Sequence, residues 1–230
     1  MKSIELRSLS RHYGRNFALH RVSTSFRAGQ LTAILGGNGA GKTTMLNILA
    51  TLDRPSQGEV FYGKRSWKDF ARRGRAQIGW VSHDSLLYSE LTGRENLLFF
   101  ARMYGLKAPV ELTEKWLENV GMTRAGDQRV DTYSRGMRQR LTVARALLHD
   151  PRLILLDEPT TGLDQEGTRQ IIDLFSALRD QGRVVILITH DLGMLADRID
   201  RLCILKQGKL TYEGEARSQE EILEAYEQFA

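Results

Sequence analysis

Cysteine is nearly absent from the 230-residue sequence, in which Cys203 is the only one. A lone thiol cannot form a disulfide within the chain or build a cysteine-rich metal site, and this favours a reducing compartment. Proline is also scarce, with 4 residues, while hydrophobic residues make up 41% and charged residues 27% of the chain. This balance excludes a disordered or fibrous protein and predicts an ordinary packed core.

Long apolar runs are missing as well. The longest aliphatic run covers residues 184–188, whereas a helix that crosses a membrane needs at least roughly 18 apolar residues. The first residues, MKSIELRSLSRHYG, contain no apolar stretch of the kind found in signal peptides and instead predict a strand. We therefore expect a cytoplasmic protein that does not cross a membrane, and its net charge of +5 is too small to indicate an anionic partner.

Short apolar, β-branched runs alternate with longer helical patterns along the chain. The runs cover residues 31–35, 77–82, 153–157 and 184–189, and helices are predicted from Lys42 to Leu52, from about Gln165 to Asp180, and after residue 189. The third and fourth runs are apolar on both faces, which is typical of central strands in a parallel sheet covered by helices on each side. The fold class is therefore α/β with a mainly parallel core sheet.

Two segments depart from this alternation. Residues 91–150 contain three consecutive helical patterns, whereas the N-terminal segment and residues 58–62 look like antiparallel strands, and the tail from Ser218 predicts a short acidic helix. We predict one domain over residues 1–230. Residues 1–90 and 151–230 would form the α/β core with an N-terminal antiparallel β subdomain, and residues 91–150 an inserted helical subdomain that carries the segment YSRGMRQR.

A glycine-rich segment between a predicted strand and a predicted helix fits the phosphate-binding pattern G-x-x-x-x-G-K-S/T. Four glycines allow backbone N–H groups to surround phosphate oxygens, Lys42 supplies a positive charge, and Thr43 can bind Mg²⁺. The sequence thus predicts a P-loop NTPase that binds a nucleoside triphosphate through Gly36, Gly37, Asn38, Gly39, Ala40, Gly41, Lys42, Thr43 and Thr44.

The run LILLDEP places two carboxylates at the end of an apolar strand, where open α/β sheets bind ligands. Asp157 is predicted to hold Mg²⁺, directly or through water. Glu158, beside it, is the candidate general base that activates the attacking water. A helix cap is the alternative for such a carboxylate pair, but the P-loop in the same chain favours the catalytic interpretation.

Five segments, GGNGAGKTT, YSRGMRQR, LILLDEP, TTGLD and LITHD, occur in the order found in ATP-binding cassette (ABC) ATPases, and essentially the whole chain resembles that family. The resemblance implies ATP hydrolysis with Mg²⁺ and a homodimer, or a pair with a related subunit, in which ATP is shared between two copies. It also implies that the γ-phosphate of ATP contacts the signature residues of the opposite copy, which are Ser134, Arg135, Gly136 and Met137. The switch histidine, His190, is implied to contact the γ-phosphate as well, and Tyr13 to stack on the adenine. Asp164 matches the family's D-loop aspartate.

The sequence departs from the family pattern at three places. His83 stands where the family usually has a glutamine that contacts metal and water; a neutral imidazole can accept a hydrogen bond there, and Asp84 is a possible substitute. Arg135 and Met137 replace the usual glycine and glutamine, and Arg135 either brings a cation toward the partner's phosphates or points to solvent. Gly37 replaces a common proline, which should matter little.

The resemblance favours the ATPase subunit of an exporter that lies on the cytoplasmic face of the cell membrane and works through separate integral membrane permease subunits. A soluble ABC ATPase of DNA repair, chromosome structure or translation is the alternative, but the coiled-coil insertion or second cassette of those proteins is missing, so no nucleic-acid partner is expected. The basic run at 64–75 is either a solvated face or a contact with anionic headgroups.

The resemblance also bears on the transported substrate. His83, the segment ELTGRENLLFF and the single cassette are similar to the ATPase subunits of haem exporters in cytochrome c biogenesis. The signature also resembles that of drug, polysaccharide and sodium exporters. We expect haem to be the transported substrate, and a drug, a polysaccharide or sodium is the alternative.

Overall fold

The fold is described by a computed structural model over residues 1–82, 84–189, 196–215 and 218–230. Within these ranges there are ten strands: β1 (Ser3–Tyr13), β2 (Asn16–Arg27), β3 (Gln30–Leu35), β4 (Gln57–Tyr62), β5 (Arg65–Ser66), β6 (Ile78–Val81), β7 (Leu153–Asp157), β8 (Val184–Ile188), β9 (Arg201–Lys206) and β10 (Lys209–Glu215). The described residues also form seven α-helices: α1 (Lys42–Leu49), α2 (Trp67–Arg73), α3 (Gly93–Met103), α4 (Pro109–Asn119), α5 (Arg135–Leu147), α6 (Gln165–Asp180) and α7 (Gln219–Phe229).

Six strands form the core sheet in the order β10-β9-β3-β8-β7-β6. All neighbouring pairs from β9 to β6 are parallel, and only β10 runs antiparallel to β9. The strands predicted as central, β7 and β8, lie side by side within the sheet. The mainly parallel α/β core is thus confirmed.

A second sheet, antiparallel throughout, has the order β2-β1-β4-β5. It contains both segments that the sequence indicates as antiparallel strands. The helices α3, α4 and α5 lie between β6 and β7 in the chain and pack on one another. We propose that residues 91–150, which contain them, form the helical subdomain.

Successive side chains of a strand point to opposite faces of the sheet, so the core is divided between the two faces of the parallel sheet. Ile154 and Leu156 of β7 belong to a cluster with α5 and α6, whereas Leu153 and Leu155 belong to a second cluster with α1 and the antiparallel sheet. All four side chains are fully buried. Because both faces are covered, the carboxyl ends of the strands remain as the exposed edge that can hold a ligand.

The helix after the P-loop is shorter than its sequence predicts. It ends at Leu49 rather than at Leu52, because the Thr51 backbone turns into the left-handed region with φ 60°. The Asp53 N–H then folds back onto the Asn47 carbonyl at 3.2 Å. The predicted helix after residue 189 begins outside the described residues.

No described helix is both long and apolar enough to cross a membrane. The longest of them, α6, has 16 residues.

His149, two residues after the end of α5, is expected to make the folded state sensitive to acid. Burial, followed by the nearby charge of Arg145, lowers the pKa of His149 from its ordinary value of 6.5, although a hydrogen bond between Nε2 and the Ile78 carbonyl opposes this shift. Nδ1 is buried and has no hydrogen-bond partner among the described residues. A proton added there would therefore be poorly accommodated.

The lowered pKa means that His149 stabilises the fold above pH 6.5 and that this contribution is lost as pH falls through the lower, folded-state value. We expect the free energy of unfolding to decrease between pH 7.5 and pH 5, and to decrease less in His149→Gln, whose amide can still donate to Ile78. Urea denaturation of both proteins at the two pH values measures the difference. Equal losses in both would show that other groups cause the acid sensitivity.

Candidate active site

The glycine-rich loop after β3 has the backbone that its sequence requires. Gly36 and Gly41 have backbone φ angles of 145° and 103°, values that residues other than glycine rarely adopt. A Cβ atom on Gly36 would lie 2.2 Å from the Leu205 carbonyl oxygen, and one on Gly41 would lie 2.3 Å from that of Ala18. Space and conformation both exclude larger residues here.

Lys42, the first residue of α1, folds back over this loop. Its Nζ donates to the carbonyl oxygens of Gly36 at 2.6 Å and Gly37 at 3.1 Å. Burial lowers the pKa of Lys42, while the negative charges of Glu158 and Asp157 oppose the shift. The ammonium group is therefore held on the loop and feels the charge of the two carboxylates.

Thr43 and Asp157 connect the loop to the end of β7. The Thr43 hydroxyl donates to Asp157 Oδ2 at 3.1 Å. A hydroxyl and a carboxylate are the oxygen donors that suit Mg²⁺, which commonly takes one or two carboxylates and completes its shell with water and phosphate oxygens. In the described parts of the chain, no three His, Cys, Asp or Glu side chains gather to hold a metal by themselves. The donors present fit an Mg²⁺ ion that is shared with a nucleotide.

Glu158 is held in an unusual backbone conformation, with φ 51°. Its N–H donates to the Ile188 carbonyl at 3.0 Å, and its own carbonyl accepts from the Thr161 N–H at 3.2 Å. Non-glycine residues in the left-handed region are strained and are enriched at functional sites. The strain here falls on the residue that the sequence indicates as the general base.

These groups line one cleft of about 590 Å³ at the carboxyl edge of the core sheet. This volume is in the range of small-molecule sites. The cleft is bounded by Tyr13, Ala18, Asn38, Gly39, Ala40, Gly41, Lys42, Thr43, Thr44, Asp157, Glu158 and Ile188. The structure thus brings together the P-loop, the two carboxylates and Tyr13.

The signature residues do not line this cleft, and two of them, Arg135 and Gly136, lie against Gly162 in the turn that precedes α6. Ser134 caps α5 by accepting a hydrogen bond from the Met137 N–H at 3.2 Å. The Arg135 side chain lies over Gly162, where a Cβ atom would come within 2.7 Å of Arg135 Cγ. Met137 is half-buried against the main core cluster. Arg135 is thus placed beside its own chain's TTGLD turn, and its contact with phosphate stays a prediction.

Asp164 has a structural contact of its own, because it caps α6 by accepting from the Gly167 N–H at 2.9 Å. Its contact with nucleotide stays a prediction. The two histidines predicted to act at the site, His83 and His190, lie outside the described residues.

Long-range contacts around the cleft carry no sequence signal. Gln139 of the signature helix donates from Nε2 to the Pro159 carbonyl at 2.9 Å, next to Glu158. Arg140 reaches the Val120 carbonyl at 3.2 Å and forms an ion pair with Asp164 at 3.5 Å. The contacts with Pro159 and Asp164 tie α5 to the segment after β7, the contact with Val120 ties it to the end of α4, and no periodicity or spacing reveals them.

Comparison with known proteins gives one consistent result. The family profile described as ABC transporter matches residues 19–161. The chain is 38% identical over 214 residues to a Nod factor export ATP-binding protein I of Neorhizobium galegae, covering 92% of this chain and 62% of that protein. It is also 38% identical over 213 residues to the uncharacterized ABC transporter ATP-binding protein YhcH of Bacillus subtilis, covering 91% of this chain and 69% of that one. This chain is thus shorter than both relatives.

Solved structures of ATP-binding cassettes have the same fold as this chain. A dimeric structure of the ATP-binding cassette MJ0796, in a post-hydrolysis state bound to ADP and Pi, has a TM-score of 0.84 at 28% identity, covering 94% of this chain and 99% of that one. A second dimeric structure of the same cassette has a TM-score of 0.84 at 31% identity over the same shares.

Proposed function

The chain belongs to the ABC transporter family and is an ATPase of the cassette type, and from this premise we propose that it powers export through separate membrane-spanning subunits. The observation that carries the catalytic part is the contact between Thr43 and Asp157, which joins the P-loop to the strand end that bears Glu158. The export direction is supported by relatives whose names refer to Nod factor export.

The P-loop, the two carboxylates and Tyr13 each have a proposed task in hydrolysis. The N–H groups of the P-loop and the Lys42 ammonium offset the charge of the β- and γ-phosphates. Glu158 accepts a proton from the attacking water, and Tyr13 stacks on the adenine. Mg²⁺ held by Thr43 and Asp157 would add positive charge against the phosphate oxygens.

A second copy of the chain completes the proposed site. The N-terminus of α5, with Ser134 and Gly136, would face the γ-phosphate of ATP bound by the partner, because a helix N-terminus favours anions. Arg135, Met137 and Asp164 would border the same interface. His83 and His190 keep their proposed roles at the metal, the attacking water and the γ-phosphate.

Haem is the finer proposal for the cargo, with cytochrome c biogenesis as the setting. It rests on the resemblance of His83 and the segment after it, and the relatives described above do not refer to haem. A drug, polysaccharide, ion or Nod factor is the competing cargo class.

Reconstitution tests the export function. The chain should be purified together with a polytopic membrane protein that binds it and placed in liposomes with the cassette outward. ATP should then drive cargo into the lumen, with haem and Nod factor as the two test substrates, and Lys42→Ala should abolish uptake. ATP-driven release of preloaded cargo from the lumen, which is transport in the opposite direction, would contradict the exporter proposal.

A further inference from the structure

Tyr13 stands at the rim of the cleft with one face of its ring already covered. The Arg11 guanidinium lies over the ring with its carbon 4.5 Å from the centroid, which is within the range of a cation–π contact. The two residues are two positions apart on β1 and therefore share one face of the strand. Tyr13 itself is 51% exposed and lines the cleft, so its other face is open to a flat ligand.

Asp53 fixes both members of this pair. One of its oxygens, Oδ1, lies 2.7 Å from Arg11 Nη2, and the other accepts a hydrogen bond from the Tyr13 hydroxyl. The Arg11 and Asp53 side chains are only 23% and 20% exposed, so this ion pair is better shielded from solvent than a surface pair. The Tyr13 ring is thus restrained at its face and at its hydroxyl.

Asp53 is also anchored through its backbone to α1, the helix that follows the P-loop. The Asp53 N–H donates to the carbonyl of Asn47, a residue of α1, at 3.2 Å. Asp53 Oδ1 also accepts from the Arg54 N–H at 2.8 Å. Since α1 begins at Lys42, Asp53 connects the Tyr13 ring to the helix that starts at the P-loop.

We propose that Arg11 and Asp53 are a positioning pair that holds Tyr13 as the stacking platform for the adenine base of ATP. Arg11 occupies one ring face and the base occupies the other. The pair acts through Tyr13 and does not touch the phosphates, because the Arg11 charge is directed to Asp53. This inference rests on the proposed function, in which the cleft binds ATP.

The test compares a ligand that has the base with one that lacks it. Isothermal titration calorimetry should measure the Kd of Mg-ATP and of Mg-tripolyphosphate for the wild type and Arg11→Met. We expect the ATP Kd to rise about three- to thirty-fold, and the tripolyphosphate Kd to stay within about twofold. Arg15→Met is the matched control: it removes an exposed charge from the neighbouring turn, and both constants should stay within about twofold.

A double-variant cycle separates positioning from general stability. In a Tyr13→Leu background, Arg11→Met should weaken ATP binding no further, because the ring through which it acts is gone. Should Arg11→Met fail to fold, Asp53→Asn breaks the same ion pair and gives the same comparison. An unchanged ATP Kd, an equal loss for both ligands, or additive losses in the double variant would overturn the inference alone. A wild type that binds no ATP would overturn the proposed function and this inference with it.

Discussion

Glu158→Gln is expected to lower ATP turnover about 10²- to 10⁴-fold while ATP binding persists. Glutamine keeps the shape of the side chain but cannot accept a proton from water. Lys42 and Thr43 hold the phosphate side of the cleft, and their contacts with Gly36 and Asp157 do not involve Glu158. ATP binding should therefore survive the substitution. Phosphate release at saturating ATP measures turnover, and the Kd of ATP measures binding.

Glu118→Gln is the matched control, because Glu118 is an exposed glutamate on α4 that does not line the cleft. It should leave both turnover and binding at the wild-type level. Turnover of Glu158→Gln within about twofold of the wild type would contradict the assignment of Glu158 as the base.

Mixing two inactive variants is expected to restore up to about a quarter of wild-type hydrolysis. Lys42→Ala removes the P-loop cation, and Ser134→Arg blocks the N-terminus of α5. Each variant alone has two damaged sites in a two-fold dimer. In a mixed dimer the intact P-loop of one copy faces the intact signature of the other, so one site is rebuilt. Because random pairing makes about half of the dimers mixed, half of their sites recover.

The controls follow from the local structure. Ser134→Arg also removes a helix cap, which costs about 1 kcal/mol, so its melting temperature must be compared with that of the wild type before mixing. Ser134→Thr keeps a capping hydroxyl and should remain active. A mixture no more active than its components, with the membrane subunit present, would contradict independent shared sites.

The sequence predicts the parts of the site whose signal is local. The P-loop combines glycines that need special backbone angles with a lysine and a threonine, and this pattern leaves few alternatives. Asp157 and Glu158 follow an apolar strand, so their place at the edge of a parallel sheet is implied by topology. The strands and most helices are predictable for the same reason, because burial on one or both faces imposes a period.

Other parts of the site depend on contacts between distant segments. Asp53 meets Tyr13 from 40 residues away in the sequence, and nothing in the residues around either one indicates the pairing. The end of α1 at Leu49 is set by the left-handed turn at Thr51, a position where no glycine or proline marks a stop. Glu158 likewise adopts a positive φ because the strands and the following turn constrain its backbone. Such features become visible only when the chain is folded.

We propose that ATP is bound between two copies of this cassette. Sedimentation velocity of Glu158→Gln, with and without Mg-ATP, tests it most directly, because this variant should hold ATP without consuming it. We expect monomers without nucleotide and dimers with Mg-ATP, whereas Glu158→Gln combined with Lys42→Ala should stay monomeric in both conditions. A Glu158→Gln protein that binds Mg-ATP yet remains monomeric at high protein concentration would contradict the claim.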